Sequence, residues 1–185
     1  MKRYFCFLRA INVGGHTVTM QQLGKIFESI GLSDVETFIA SGNVIFNSSH
    51  RNSDSVEQLV SKRLKDELGY DVHAFVRTRE ELQAVESFEP FSREKIESAM
   101  AYHVGFAAEP PSKEAVAKIA AFSSDLDDLR AEGREIYWII RTRFSDSKVS
   151  SAAIERSFGA RVTFRNINTV RRLLGKYPPS PKSTK

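Results

Sequence analysis

Three groups of residues in this chain, the first two meeting on one rim, could hold an anion. The first is Arg9-Ala10-Ile11-Asn12-Val13-Gly14-Gly15, directly after an apolar run at residues 4–8. A guanidinium, a side-chain amide and two glycine backbones are the donors that a phosphate or carboxylate needs. The second is Ser41-Gly42-Asn43, and the third joins Ser147-Lys148 with Arg165-Asn166 and Asn168. Each also has a plainer reading, in which amides tie loops by local hydrogen bonds and arginines pair with acids. His16, beside Gly14 and Gly15, is the one histidine placed to act as a base, although a lone loop histidine is more often a surface residue.

Other chemistries find little support in the residue pattern. His16, His50, His73 and His103 show no metal-ligand spacing with Cys6 or with acids, so no metal is expected. No phosphate-binding loop, dinucleotide fingerprint or nucleophile elbow is present, so no cofactor is expected either. Cys6 falls inside the apolar run and is expected to be buried and inert. A single cysteine excludes an internal disulfide framework and fits a reducing cytosol. Lys2 and Arg3 precede the apolar run, but Arg9 ends it too soon for a signal core. Nothing approaches the about 20 apolar residues of a membrane span. The expectation is a cytoplasmic protein with no membrane partner.

Charge is unevenly placed. Of the 27 Lys and Arg, eight lie after Glu155 and none of the 23 acids does, so the last 30 residues carry +8 and the preceding chain −4. A basic end on an acidic body suggests an anionic partner such as nucleic acid or a phosphate-bearing small molecule. The alternative is a solvated helix followed by a basic tail.

The elements that must position these residues form one order written twice. The run at 4–8 reads as a central strand. Thr19 and Gln22 form a capping box for a helix with Leu23, Ile26, Phe27 and Ile30 inward. Residues 35–40 and 44–46 read as strands closed by a two-residue turn at Gly42-Asn43. A helix starting at Asp54, with Glu57 three residues on, and a strand at 72–76 complete the unit. A connecting helix opens at Thr78 with Glu81. The second unit has a strand at 100–106, a helix after Ser112, and a hairpin of 126–131 and 136–140 around Gly133-Arg134. A helix at 151–158 and a strand at 161–164 follow. Asn168 caps a terminal helix stopped by Gly175.

The expected fold is therefore α+β, with two tandem ferredoxin-like (βαββαβ) subdomains on antiparallel sheets and a C-terminal helix. The boundaries expected are 1–78, a connecting segment 79–98, 99–176, and a disordered tail 177–185. In this topology the end of the first strand lies beside the turn between the second and third, which gathers Arg9, Asn12, Ser41 and Asn43 on one rim. In the second unit Ser147-Lys148 and Arg165-Asn166 would begin ~10 Å apart, two strand spacings, around a second anion site.

Arg9 to Gly15, Ser41-Gly42-Asn43-Val44, Ser147-Lys148 and Arg165-Asn166-x-Asn168-Thr169-Val170 together resemble the signature of the domain-of-unknown-function family 1697. That family usually has Gly where this chain has Ala10, and often Thr and Trp where it has Phe164 and Ile167. The resemblance implies a double ferredoxin-like fold and no particular activity. The leading expectation is a small protein that binds an anionic ligand: a nucleotide, nucleic acid or phosphorylated metabolite. Against nucleic acid stands the lack of an RNA-recognition aromatic pattern on the first sheet. The alternatives are an enzyme acting on a small phosphorylated or carboxylated substrate, with Arg9, Asn12 and Asn43 as binders, or an interaction module using a sheet edge.

Overall fold

The computed structural model describes residues 1–12, 14–39 and 42–179. The first half runs β1 (Lys2–Arg9), α1 (Met20–Glu28), β2 (Ser33–Thr37), β3 (Asn43–Ser48), α2 (Ser53–Leu68) and β4 (His73–Thr78). Two helices, α3 (Arg79–Ser87) and α4 (Arg93–Glu97), lead into the second half. It repeats the order as β5 (Ala101–Ala107), α5 (Lys113–Ala120), β6 (Asp127–Glu132), β7 (Glu135–Ile140), α6 (Ser151–Phe158) and β8 (Val162–Asn166), and α7 (Ile167–Lys176) closes it. The strands form two four-stranded antiparallel sheets, ordered β2-β3-β1-β4 and β6-β7-β5-β8.

Strand periodicity sends alternate residues of β1 to opposite faces. Tyr4, Cys6 and Leu8 share a core with Leu23 and Phe27 of α1 and Val56, Val60 and Leu64 of α2. Phe5 and Phe7 enter a second core with Val104 and Phe106 of β5, Tyr137 and Ile139 of β7, and the inward stripes of α3 and α7. Beyond the second sheet, Ile136, Trp138 and Ile140 pack with Ile119 of α5 and Ile154 and Phe158 of α6. The layers run helices, sheet, sheet, helices, with the two sheets face to face. Phe7 stacks on Phe106 at 4.2 Å across that middle layer. Burial on both faces is why residues 4–8 are continuously apolar.

Arginines cross the middle layer. Arg77 of β4, 1% exposed, donates from Nε to Glu135 Oε1 of β7 at 2.8 Å and from Nη2 to the Ala107 carbonyl at 2.7 Å. Its Nη1 lies 3.8 Å from Glu57 of α2. Arg134, in the β6–β7 turn, donates to Asp54 at 2.6 Å and to Glu81 at 2.8 Å. Glu57 itself accepts from the Val76 amide at 2.8 Å.

Local signals set most element starts. The capping boxes of Thr19 with Gln22 and Thr78 with Glu81 are both formed, and Gly133-Arg134 is a two-residue turn between β6 and β7. Several sequence expectations are corrected. Asn52, not Asp54, caps α2, because its carbonyl-bearing side chain reaches the Asp54 amide. The first hairpin has no two-residue turn: β2 ends at Thr37 and Asn43 is already the first residue of β3, with Phe38 N donating to the Asn43 carbonyl at 2.9 Å. Asn166, not Asn168, caps α7, and Gly175 lies inside that helix. Tyr177, assigned to a tail, is buried, with its ring on Phe5 and its hydroxyl on Glu36. Residues 180–185 of the expected tail lie outside the described residues.

Glu57 carries a pH signature. Burial, the largest influence, outweighs the Val76 amide and Arg77 and pushes its carboxyl up from 4.5 to about 7. The folded protein then binds this proton more tightly than the unfolded chain does between those values. The resulting stabilisation is fully present below about pH 4.5 and is lost as pH rises through about 7. Stability should fall across that window by at most ~1.4 kcal/mol per pH unit from this group. Glu57→Gln should remove that component, read as a flatter urea-midpoint profile against pH.

Candidate functional site

The carboxyl-terminal end of β1 is where the sequence signals gather. Arg9 sits there 31% exposed, but its guanidinium is engaged: Nε and Nη2 each reach a carboxylate oxygen of Glu155 at 2.8 Å, and Nε also reaches the Val162 carbonyl at 3.1 Å. Glu155 belongs to α6, so this fork-to-fork pair joins the first sheet to the second half. Arg161 flanks the same carboxylate at 3.6 Å.

Arg165 does the same from the other side. It lies within β8, not in a loop after it, and it points into the first half. Nε donates to Asn43 Oδ1 at 2.6 Å, and Nη2 to the carbonyls of Leu8 at 2.8 Å and Gly42 at 3.2 Å. Nη1 donates to Thr163 Oγ1 and the Phe164 carbonyl, both at 2.8 Å. All five guanidinium N–H groups are spent on neutral oxygens, and the cation lies 5.7 Å from the centre of the Phe7 ring. Burial pushes its pKa down to about 10, which leaves it charged at neutral pH.

The expected pairing of Ser147-Lys148 with Arg165-Asn166 is therefore not formed. Ser147 Oγ donates to buried Asp127 at 2.9 Å, and the Trp138 indole reaches the same carboxylate oxygen at 2.8 Å. Lys148 is exposed. Asn166 is spent on capping α7, while Asn168 Oδ1 accepts from Arg171 at 3.4 Å. On the first rim, Asn12 Oδ1 accepts from the Val18 amide at 2.8 Å, and Asn43 Nδ2 donates to the Phe38 carbonyl at 3.0 Å. His16 is exposed and stacks on Tyr70 at 4.2 Å. Ser41 lies outside the described residues. The rim thus brings together Asn43 and Arg165, which the sequence had assigned to separate sites, and it leaves Arg9 facing Glu155.

Unusual backbone clusters on this rim. Ala10, Gly14, Gly15, Ile39 and Gly42 all have positive φ. At 48°, Ile39 is a branched residue in the left-handed region, and its side chain is 45% exposed. A basic stripe adjoins this loop. Asn168, Arg171, Arg172, Gly175 and Lys176 are the exposed positions along α7. Arg172 and Lys176 both lie over the Phe38 ring, at 5.5 and 5.6 Å, and Lys176 and Arg3 both lie over Tyr177, at 4.9 and 5.1 Å. The result is a ladder of alternating cations and rings: Arg172, Phe38, Lys176, Tyr177, Arg3. Glu36 pairs with Lys176 at 2.9 Å, and Glu86 with Arg171 at 3.4 Å.

Sequence reasoning missed Glu57, Arg77, Arg134 and Glu155. One signal was available: Glu57 falls at the spacing of Val60 and Leu64, and an acid on an apolar helical stripe needs a buried partner. For Arg77, inside a strand, no such signal exists.

The chain belongs to the family described as "Protein of unknown function (DUF1697)", whose model matches residues 1–137. Its fold is similar to that of a conserved bacterial protein, SP0830, from Streptococcus pneumoniae, with a TM-score of 0.72 and 24% identity over 95% of this chain and 98% of that one. At that identity the likeness speaks to the fold alone. No curated protein matches the chain.

Two substitutions test the rim. Ala10, at φ 65°, is a non-glycine residue in the left-handed region. The left-handed conformation costs an alanine about 1–2 kcal/mol, partly offset by the smaller entropy it loses on folding, so Ala10→Gly should stabilise the protein by about 0.5–1 kcal/mol. Arg165→Met keeps an unbranched stem but orphans the oxygens of Asn43, Leu8 and Gly42. It should cost about 2–4 kcal/mol. Both are read from urea midpoints at unchanged m-value.

Proposed function

We propose that this protein is a cytoplasmic binding protein for a phosphate-bearing polyanion, a single-stranded nucleic acid in the first instance. We further propose that its halves are two tandem ferredoxin-like subdomains, residues 1–78 and 99–176, joined through 79–98. The observation that carries the reading is the cation–ring ladder along α7. Arg172, Lys176 and Arg3 are held in a row by the rings of Phe38 and Tyr177, so part of the side-chain entropy that binding would cost has already been spent.

The same geometry assigns the kind of contact. Tyr177 is buried and both rings already carry cations, so neither offers a face for a base to stack on. The contacts would go to phosphates, which position a strand without reading its sequence. Glu36 and Glu86 compete for Lys176 and Arg171, but exposed pairs are worth only ~0–1 kcal/mol and a phosphate can displace them. Exposed Asn12, Gly14, Gly15 and Asn168 would border the ligand, and Lys148 would be a remote contributor. Arg9, Asn43, Arg165 and Asn166 serve this site as its frame.

Salt dependence tests the proposal. Each phosphate contact adds about −0.7 to the log–log salt slope for a single strand. Replacing Arg171, Arg172 and Lys176 with Ala should flatten the slope for a mixed-sequence oligonucleotide by roughly two units, with little dependence on base sequence. An unchanged slope in a triple variant that keeps its circular dichroism would refute the proposal. So would loss of binding confined to one base composition.

A further inference from the structure

A second, separate cleft opens between α3 and the β6–β7 hairpin, on the side of the middle layer closed by α3. Its volume is about 280 Å³, and Val85, Phe88, Glu132, Arg134, Glu135 and Tyr137 contribute to its walls. That is room for a ligand of one ring and a polar group.

Tyr137 marks the cleft as more than a surface irregularity. It is 2% exposed and lines the cleft, yet its hydroxyl makes no hydrogen bond to any described residue. Its ring is buried while its oxygen is not among the fully buried polar atoms left without a partner, so the hydroxyl faces the open cleft, where a ligand can bond to it. Its neighbour Glu135 is half-used: Oε1 takes the Arg77 Nε hydrogen bond, and no described residue donates to the other oxygen. Two polar atoms with open valences thus sit in one cleft, beside an apolar wall of Phe88 and Val85.

Charge and ring chemistry select the ligand class. The acids nearest Tyr137 are Glu135 and Glu132, and they act on its phenol ahead of Arg77. Burial first, and Glu135 second, hold that phenol protonated. Phe88 and Tyr137 stand 5.1 Å apart at 46°. The chain's own Arg130 guanidinium lies 5.3 Å from the Phe88 ring centre, so the Phe88 ring already accepts a planar cation on one side. An anion would meet the carboxylates of Glu81, Glu132 and Glu135 and gain only arginines that are already paired, Arg77 with Glu135, Arg130 with Glu132, and Arg134 with Asp54 and Glu81.

We infer that this cleft binds a small organic cation, an amine or amidine on an apolar body, whose N–H groups meet Tyr137 Oη and Glu135 while the body rests on Phe88 and Val85. The walls come from the connecting segment and the second half, with Arg77 from the first, so the ligand would bridge them. The site is independent of the ladder along α7, and neither depends on the other.

Benzamidine is the probe, titrated calorimetrically into the full chain, with benzyl alcohol and benzoate as neutral and anionic controls of similar size. A ligand of nine heavy atoms should bind 1:1 with a Kd on the order of 1 mM. Benzyl alcohol should bind about tenfold more weakly, and benzoate not at all. Tyr137→Phe keeps the ring packing and should weaken benzamidine by about tenfold. Ala84→Trp, at an exposed position lining the cleft, should block it. If the tryptophan variant does not fold, Tyr137→Phe decides. Benzamidine showing no binding at ten times the expected Kd overturns the inference. So does an affinity that Tyr137→Phe leaves unchanged, or benzoate or benzyl alcohol binding as well as benzamidine.

Discussion

Everything else in this molecule depends on the face-to-face contact of the two sheets. Each sheet spends one face on its own pair of helices and has a second apolar face that must be covered. The covering is mutual, with Phe7 stacked on Phe106, while α3 and α7 close the flanks. Apolar contact alone is non-directional and would tolerate sliding. Arginines fix the alignment. Arg9 and Arg165 tie the halves at the end of β1, and Arg77 and Arg134 tie them across the β6–β7 hairpin. A buried guanidinium is costly unless its donors are met. Each of these geometries satisfies it in one relative placement of the sheets.

That constraint explains why so many apparent anion-binding residues are occupied. Arg9, Asn43, Arg165 and Asn166 carry much of the family resemblance, and all four act on the chain itself. A guanidinium has the same requirements whether its partner is a ligand phosphate or a carbonyl across an interface. The motif is a mark of the architecture. Arg171, Arg172 and Lys176 of α7 are exposed on a stretch in which no acid follows Glu155, and among the described residues only Glu86 and Glu36, from elsewhere in the fold, reach two of them.

The strained backbone of the same rim belongs to this picture. Gly42 offers its carbonyl to Arg165, and a Cβ there would stand 3.2 Å from Leu8. Gly105 in β5 is small for a similar reason, since a Cβ would come within 2.6 Å of the Phe164 ring. Ile39 has no such structural duty among the described residues. Its left-handed backbone and exposed side chain lie next to the ladder, which is where strain and function commonly coincide.

The sequence alone determined the order of elements, α4 excepted, because local chemistry writes it. Capping boxes at Thr19 and Thr78, the Gly133-Arg134 turn, the helical stripes and the apolar run at residues 4–8 each act over a few residues and are legible there. It also located Arg9, Asn43 and Arg165 as residues with something to bind. What they bind was decided by tertiary structure. Glu155 lies 146 positions from Arg9, and Asn43 lies 122 from Arg165, and no local pattern records a pairing at that range. The ladder was hidden for the same reason, since Phe38, Tyr177 and Arg3 meet only when α7 docks beside β1. So was the cleft at Tyr137, which forms only where α3 meets the β6–β7 hairpin, with Glu81 and Arg134 lying 53 positions apart along the chain.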